Sequence, residues 1–192
     1  MATRLDPREA RDALALVEEA AWQMRRAFAQ SVLWIYPVLW GTIWVLGFTM
    51  EVLAPQTAPL VWTGLNVVGI LVSFALGWYY RHQHLPVGAL GPQIGAFWLA
   101  WLVYTVVLLN LVHPTDEATI GRFIGLQAML GYVIMGIWLR TKAFIWMGLV
   151  TSAALLASAW LPAPWDSLVM GWLGGGILIA AGFYVRMAWT SE

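Results

Sequence analysis

Cysteine is absent from the 192-residue chain, which removes disulfides, thiolate metal sites and cysteine nucleophiles together. Charge is scarce as well, at 10% of residues, and its two signs cancel. A nucleic-acid binder needs a basic stripe to neutralise phosphates, so no such partner is expected. Catalytic signatures are also lacking. Neither H-E-x-x-H nor G-x-S-x-G occurs, no glycine-rich loop precedes a phosphate-binding lysine, and the Gly174, Gly175, Gly176 triplet lies inside an apolar run. Ser152 and Ser158 have no histidine at matching depth. The chain therefore reads as a non-enzyme, with no cofactor and no bound metal. The first apolar run begins at Ser31, behind a long and mostly polar segment, which is not the pattern of a cleavable signal.

What the chain has in abundance is apolar surface, with 61% hydrophobic residues. That composition belongs to a membrane protein. Uncharged apolar windows predict spans over about 31–54, 58–80, 92–112, 119–139, 143–161 and 167–187, each near the length needed to cross roughly 30 Å of hydrocarbon as a helix. Backbone polar groups in lipid must be satisfied within their own segment, and the alternating pattern of a barrel strand is missing, so helices are expected. The predicted fold is an all-α integral membrane protein. Its six transmembrane helices form three antiparallel hairpins behind a cytoplasmic amphipathic helix over 1–30, with residues 31–192 as the bundle.

One short tag recurs: GWYYR at 77–81, GIWLR at 136–140 and GFYVR at 182–186. If the N-terminus is cytoplasmic, Arg81, Arg140, Lys142 and Arg186 all fall on that side with Arg4, Arg8, Arg11, Arg25 and Arg26, and Arg122 alone lies outside. That asymmetry satisfies the positive-inside rule and puts both termini in the cytoplasm of a bacterial plasma membrane. Each tag is then a helix end, with aromatics at headgroup depth and an arginine reaching the lipid surface. Convergent helix endings explain the tags, and so does a true internal repeat. AFWLAWLV at 96–103 echoes AFIWMGLV at 143–150, and short connections make sequential helices neighbours.

Small residues four apart mark close helix contacts: Gly69, Ser73 and Gly77 in span two, Gly121 and Gly125 in span four, Gly171 and Gly175 in span six. They predict that the even-numbered spans form the centre. Pro37 bends span one unless the helix begins there.

Ahead of the membrane, Asp6-Pro7-Arg8-Glu9 supplies an N-cap, an N1 proline and an N3 glutamate. Apolar residues follow at Ala10, Leu14, Val17, Ala21, Met24 and Phe28, a single seam. Glu9, Asp12, Glu18 and Glu19 balance Arg8, Arg11, Arg25 and Arg26, whereas a helix lying on lipid carries a basic polar face. The helix either docks beneath its own bundle or pairs with a second protomer or a protein partner.

Polar residues at membrane depth are costly and mark candidate sites. Glu51, Asn66, Asn110 and Gln127 all fall in the outer leaflet, with no matching set in the inner one, which weakens channel and proton-relay readings. Trp34, Trp78, Trp138, Trp160, Trp165 and Trp189 sit near helix ends, as interfacial indoles do. Trp40, Trp44 and Trp101 lie near mid-span, where an indole N–H needs a protein partner. The candidate ligand site is Trp40, Trp44, Glu51, Asn66, Trp101, Asn110 and Gln127: an outward-facing aromatic pocket for a flat or cationic lipophilic molecule, with Glu51 as counter-charge. Ordinary packing is the competing account of the tryptophans. His82 and His84 fit a solvated loop. His113, Asp116 and Glu117, with Asp166 and Glu51, match no metal motif, and Arg122 is expected to pair with this acidic group. The expected function is small-molecule binding or transport, against a non-transporting sensor or scaffold whose N-terminal helix engages a protein.

Overall fold

The computed structural model describes residues 7–28, 32–82, 90–114 and 116–187. Asp6, the expected cap of the first helix, and His84 and Trp189 lie outside them. Helices account for the described chain: α1 (Pro7–Phe28), α2 (Ile35–Leu53), α3 (Ala58–His82), α4 (Leu90–Val112), α5 (Glu117–Trp138) and α6 (Lys142–Ser158), then a last rod made of α7 (Trp165–Leu168), a π-helix (Val169–Gly175) and α8 (Gly176–Met187). Five segments are long and apolar enough to cross a membrane: Ile35–Leu53, Ala58–Tyr80, Gly91–Val112, Ala118–Trp138 and Trp165–Met187. The sixth apolar helix, α6, is shorter at 17 residues. The protein is thus an all-α membrane protein, and the length criterion counts five spans where six are expected.

Local chemistry sets the helix boundaries. Pro37 is the third residue of α2, in the first turn, where a proline is tolerated. At the end of α4, His113 takes φ of 48° and its N–H bonds Leu109 O at 3.0 Å. This is the αL stop, followed here by Pro114. Asp116 then caps α5, its Oδ1 accepting from Thr119 N at 2.7 Å. That bond holds the Asp116 carboxyl below the usual carboxylate range. α5 stops at Arg140, with φ of 55°. Thr141 N bonds Gly136 O at 2.8 Å and Arg140 N bonds Ile137 O at 3.2 Å, the paired bonds of a Schellman ending.

The centre is built from α2, α5, α6 and the last rod. Met129, Leu155, Met170, Leu178 and Val185 are wholly buried there. Glycines decide how closely these helices approach. A Cβ on Gly41 would lie 2.6 Å from Gly175 O, and one on Gly175 would lie 2.6 Å from Gly41 O. The backbones of α2 and the π-helix therefore touch directly. The same face continues at Gly171, against Phe48 Cβ at 2.7 Å, and Gly182, against Trp34 O at 2.7 Å.

Two expectations are corrected here. Span two (α3) is peripheral, with 6% of its window buried against 39% for the last rod. Of its small residues, Gly69 meets Ile43 and Trp40 of α2, but Gly77 has only Tyr36 Oη at 3.9 Å. The even-numbered spans do not form the centre by themselves, because spans one (α2) and five (α6) share it and span two (α3) leans mainly on α2. The strongest sequential contact joins α5 to α6, helices that the hairpin scheme assigns to different units. Gly136 explains it, since a Cβ there would meet Ile145 N at 2.7 Å. The three tags are accordingly unequal in packing.

Within the first helix, residues 11–20 are exposed on every side.

Gly41→Ala or Gly175→Ala should lower stability by about 1–3 kcal/mol, the range for overpacking, despite alanine's better helix propensity. Gly64→Ala and Gly95→Ala, with nothing within 4 Å of the added carbon, should be neutral or gain up to about 1 kcal/mol. Thermal unfolding of all four in one detergent is the check; equal behaviour would remove the backbone contact.

Candidate functional site

Polar side chains gather where α2, α6 and the last rod meet the chain's Glu51 end. Glu51 lies in the last turn of α2. Its Oε1 accepts from Trp62 Nε1 of α3 at 2.6 Å, and its Oε2 accepts from Ser167 Oγ of α7 at 3.0 Å. One carboxylate thereby ties three elements. A parallel tie lies one turn away, where Trp172 Nε1 of the π-helix donates to Thr49 Oγ1 at 3.1 Å. Indole N–H groups facing hydrocarbon need such acceptors.

A second cluster joins α5, α6 and α7. Arg122 Nη2 bonds Asp166 Oδ2 at 3.1 Å, and Arg122 Nε donates to Ser158 Oγ at 3.3 Å. Ser158 in turn donates to Leu155 O at 2.7 Å. Asp166 is 8% exposed, and its Oδ1 has no hydrogen-bond donor among the described residues. Pairing of Arg122 with an acidic residue was legible in the sequence. Ser158, set aside there as a nucleophile for want of a histidine, is an acceptor for arginine.

At the opposite end, the Arg186 guanidinium lies 4.4 Å above the Trp34 ring, and Trp34 packs on Phe183 at 6.0 Å between centroids. The start of α2 and the finish of α8 therefore share one end, and Glu51, Trp62, Arg122, Ser158 and Asp166 share the other.

The seven candidate residues separate into groups. Trp40 and Trp44 are packing elements of α2: Trp40 covers Gly69, and Trp44 fills the space over Gly125 and Gly174. Trp44, Phe48 and Trp62 form an edge-on series at 6.1 and 5.0 Å that leads to Glu51. Trp101 and Gln127 meet elsewhere, where Trp101 Nε1 donates to Gln127 O at 2.8 Å and fastens α4 to α5. The same seam holds Trp98, which rests on Gly131 and stacks edge-on with Trp101 and Tyr132 at 5.5 and 5.3 Å. Asn66 and Asn110 join neither group. Both are exposed, and each donates to the carbonyl four residues back in its own helix, Trp62 O and Val106 O at 2.8 Å.

Gln127 has a further property. With Phe123, Leu126 and Leu130 it lines a shallow groove of about 250 Å³ on α5. Those three apolar residues carry no signal in the sequence that separates them from lipid-facing neighbours. Trp62 and Ser167, the partners of Glu51, were likewise missed, since they come from other helices. No three His, Asp or Glu side chains among the described residues converge as a metal cluster, and His113 is instead the left-handed residue that ends α4. No family model, curated protein or solved structure matches the chain.

Removing one partner of a shielded ion pair strands the other. Arg122→Met alone should cost about 2–3 kcal/mol, below the fully buried range because the side chains are 19% and 11% exposed. Arg122→Met with Asp166→Leu should recover part of that loss, and a double-mutant cycle by unfolding measures it. Strict additivity would mean that the pair contributes nothing.

Proposed function

We propose that this protein binds a lipophilic small molecule within the bilayer, with Gln127 as the polar point of a site walled by Phe123, Leu126 and Leu130. The observation that carries this reading is the groove itself: an apolar concavity of about 250 Å³ with one amide in its wall. Hydrocarbon offers that amide no partner, whereas a carbonyl, hydroxyl or ammonium on an apolar body does. Trp101, bonded to the Gln127 carbonyl, borders the site as a built-in reporter. Glu51 fits a supporting role better than that of counter-charge, because Trp62 and Ser167 already occupy both its oxygens.

The proposal includes six crossings with both termini cytoplasmic. Two contacts support the sixth crossing. Ser158, at the end of α6, reaches Arg122 near the start of α5, while Ile145 near the start of α6 packs on Gly136 near the end of α5. The shorter helix thus runs nearly the full height of a longer partner that can span. Arg140, Lys142 and Arg186 at one end, against Arg122 at the other, orient the bundle by the positive-inside rule.

Titration with a brominated lipophilic amine should quench tryptophan fluorescence saturably, and Gln127→Leu should weaken that binding about tenfold, the loss of one good polar contact. Non-saturable quenching in both proteins excludes the site. Should quenching saturate equally in both, the ligand sits elsewhere and Gln127 is only structural.

A second reading has its own support, which is the exposure of residues 11–20 of α1. In it the bundle is an anchor, and α1 engages a protein. Deleting residues 1–29 should then leave the bundle's unfolding transition in place and abolish co-purification of that partner. A partner retained by the truncated chain would end this reading.

A further inference from the structure

The first helix carries two exposed apolar residues on one face: Leu14 and Val17 are 64% and 65% exposed, and Arg11 and Glu18 beside them are exposed too. We propose that α1 pairs with α1 of a second copy of this chain, antiparallel, with Leu14 against the partner's Val17 and Arg11 against the partner's Glu18. This rests on the reading of α1 as a protein-contact helix and names its partner.

The seam Ala10, Leu14, Val17, Ala21, Met24, Phe28 alternates steps of four and three, the spacing that keeps one stripe facing a partner helix. Along one flank of that stripe, a heptad apart, stand Arg11, Glu18 and Arg25. Their signs alternate. An anionic lipid surface selects for one sign on such a flank, so alternation points to a partner that alternates as well. The helix itself supplies one.

Register follows from charge. In an antiparallel pair this flank meets its own copy. Placing Leu14 opposite the partner's Val17 puts Ala10 opposite Ala21 of the partner subunit, a thin layer that lets the helices close up. It also sets Arg11 opposite the partner's Glu18, and by symmetry Glu18 opposite the partner's Arg11. Sliding one heptad to increase overlap sets Glu18 against the partner's Glu18 and Arg11 against the partner's Arg25, both repulsive. A parallel pair instead sets Glu18 against the partner's Ala13 and Arg25 against the partner's Ala20, which select nothing, and matches charge only where Arg11 meets the partner's Asp6. The seam is small and mostly alanine, and two free peptides would pair weakly. Tethering both helices to one bilayer raises their effective concentration enough for such a contact to count.

The natural absence of cysteine makes the test direct. Full-length protein in liposomes carrying Ala10→Cys and Ala21→Cys together should oxidise to a covalent dimer, while either single variant stays monomeric. The two sites lie eleven residues apart on one helix, about 16 Å, too far for an internal bridge. Adding Glu18→Arg should cut the dimer yield about fivefold, the loss of two exposed ion pairs, and adding Arg11→Glu as well should restore it. Cross-linking of the single variants would overturn the antiparallel register. So would indifference of the double variant to Glu18→Arg. Failure of every variant to cross-link overturns self-pairing, yet leaves the wider contact reading to the truncation above, where a different co-purified protein would still be lost.

Discussion

Backbone contact between Gly41 and Gly175 is the constraint from which the bundle's arrangement follows. In lipid there is no hydrophobic force drawing one apolar helix to another, so association depends on dispersion and on how closely the rods approach. Each glycine's missing Cβ is replaced by the other's carbonyl oxygen. Once α2 and the last rod are in backbone contact, the larger side chains have defined places. Phe48 lies over Gly171, Pro37 and Val38 lie against Gly182, and Trp44 turns over Gly174 toward Gly125 of α5. The wider-turned π-helix falls over the stretch that carries Gly171, Gly174 and Gly175, where small residues leave room for the extra residue per turn.

Polar bonding complements this packing. Dispersion between helices is nearly indifferent to sliding, whereas Glu51 holds α2, α3 and α7 at one height, and Arg122 does the same for α5, α6 and α7. Glu51 and the Arg122–Asp166 pair are the charged members of these ties, and they act at the end where Ser167 and Asp166 follow each other in sequence. The start of the last rod is therefore a common anchor for α2, α5 and α6. Its opposite end is held by Arg186 over Trp34, a cation–π contact.

Part of this was legible in the chain. Helix class and the Arg122 pairing each have a local signal, an apolar run or a lone opposite charge, whereas Asp116, read there only as part of an acidic turn, caps α5. Central against peripheral was not legible, for a physical reason. Gly69, Ser73 and Gly77 look as suited to close packing as Gly171 and Gly175, but spacing within one helix says nothing of which partner arrives. Gly77 remains nearly open, while Gly182 in the matching tag is pressed on Trp34 O. The candidate site divided for the same reason. Depth along the membrane can be counted from sequence, but azimuth around the bundle cannot. Thus Asn66 and Asn110, which the sequence groups with Glu51 by depth, turn to the exterior, their amides bonded within their own helices.

Loose packing of α3 and α4 follows from how they are held. α3 is fastened through Trp62 to Glu51 and through Gly69 to Ile43 and Trp40. α4 is fastened through Trp101 and the rings of Phe97, Trp98 and Tyr132. Each attachment combines an indole N–H with aromatic edges, so a few wide side chains replace a continuous helix seam. Rings used as spacers keep helix backbones apart, whereas glycine brings them together. A groove is thus a natural consequence on the α4 side of α5 and would be unexpected between α2 and the last rod. The apolar concavity around Gln127 lies on the helix where the packing mode changes from glycine contact with α6 to aromatic spacing against α4.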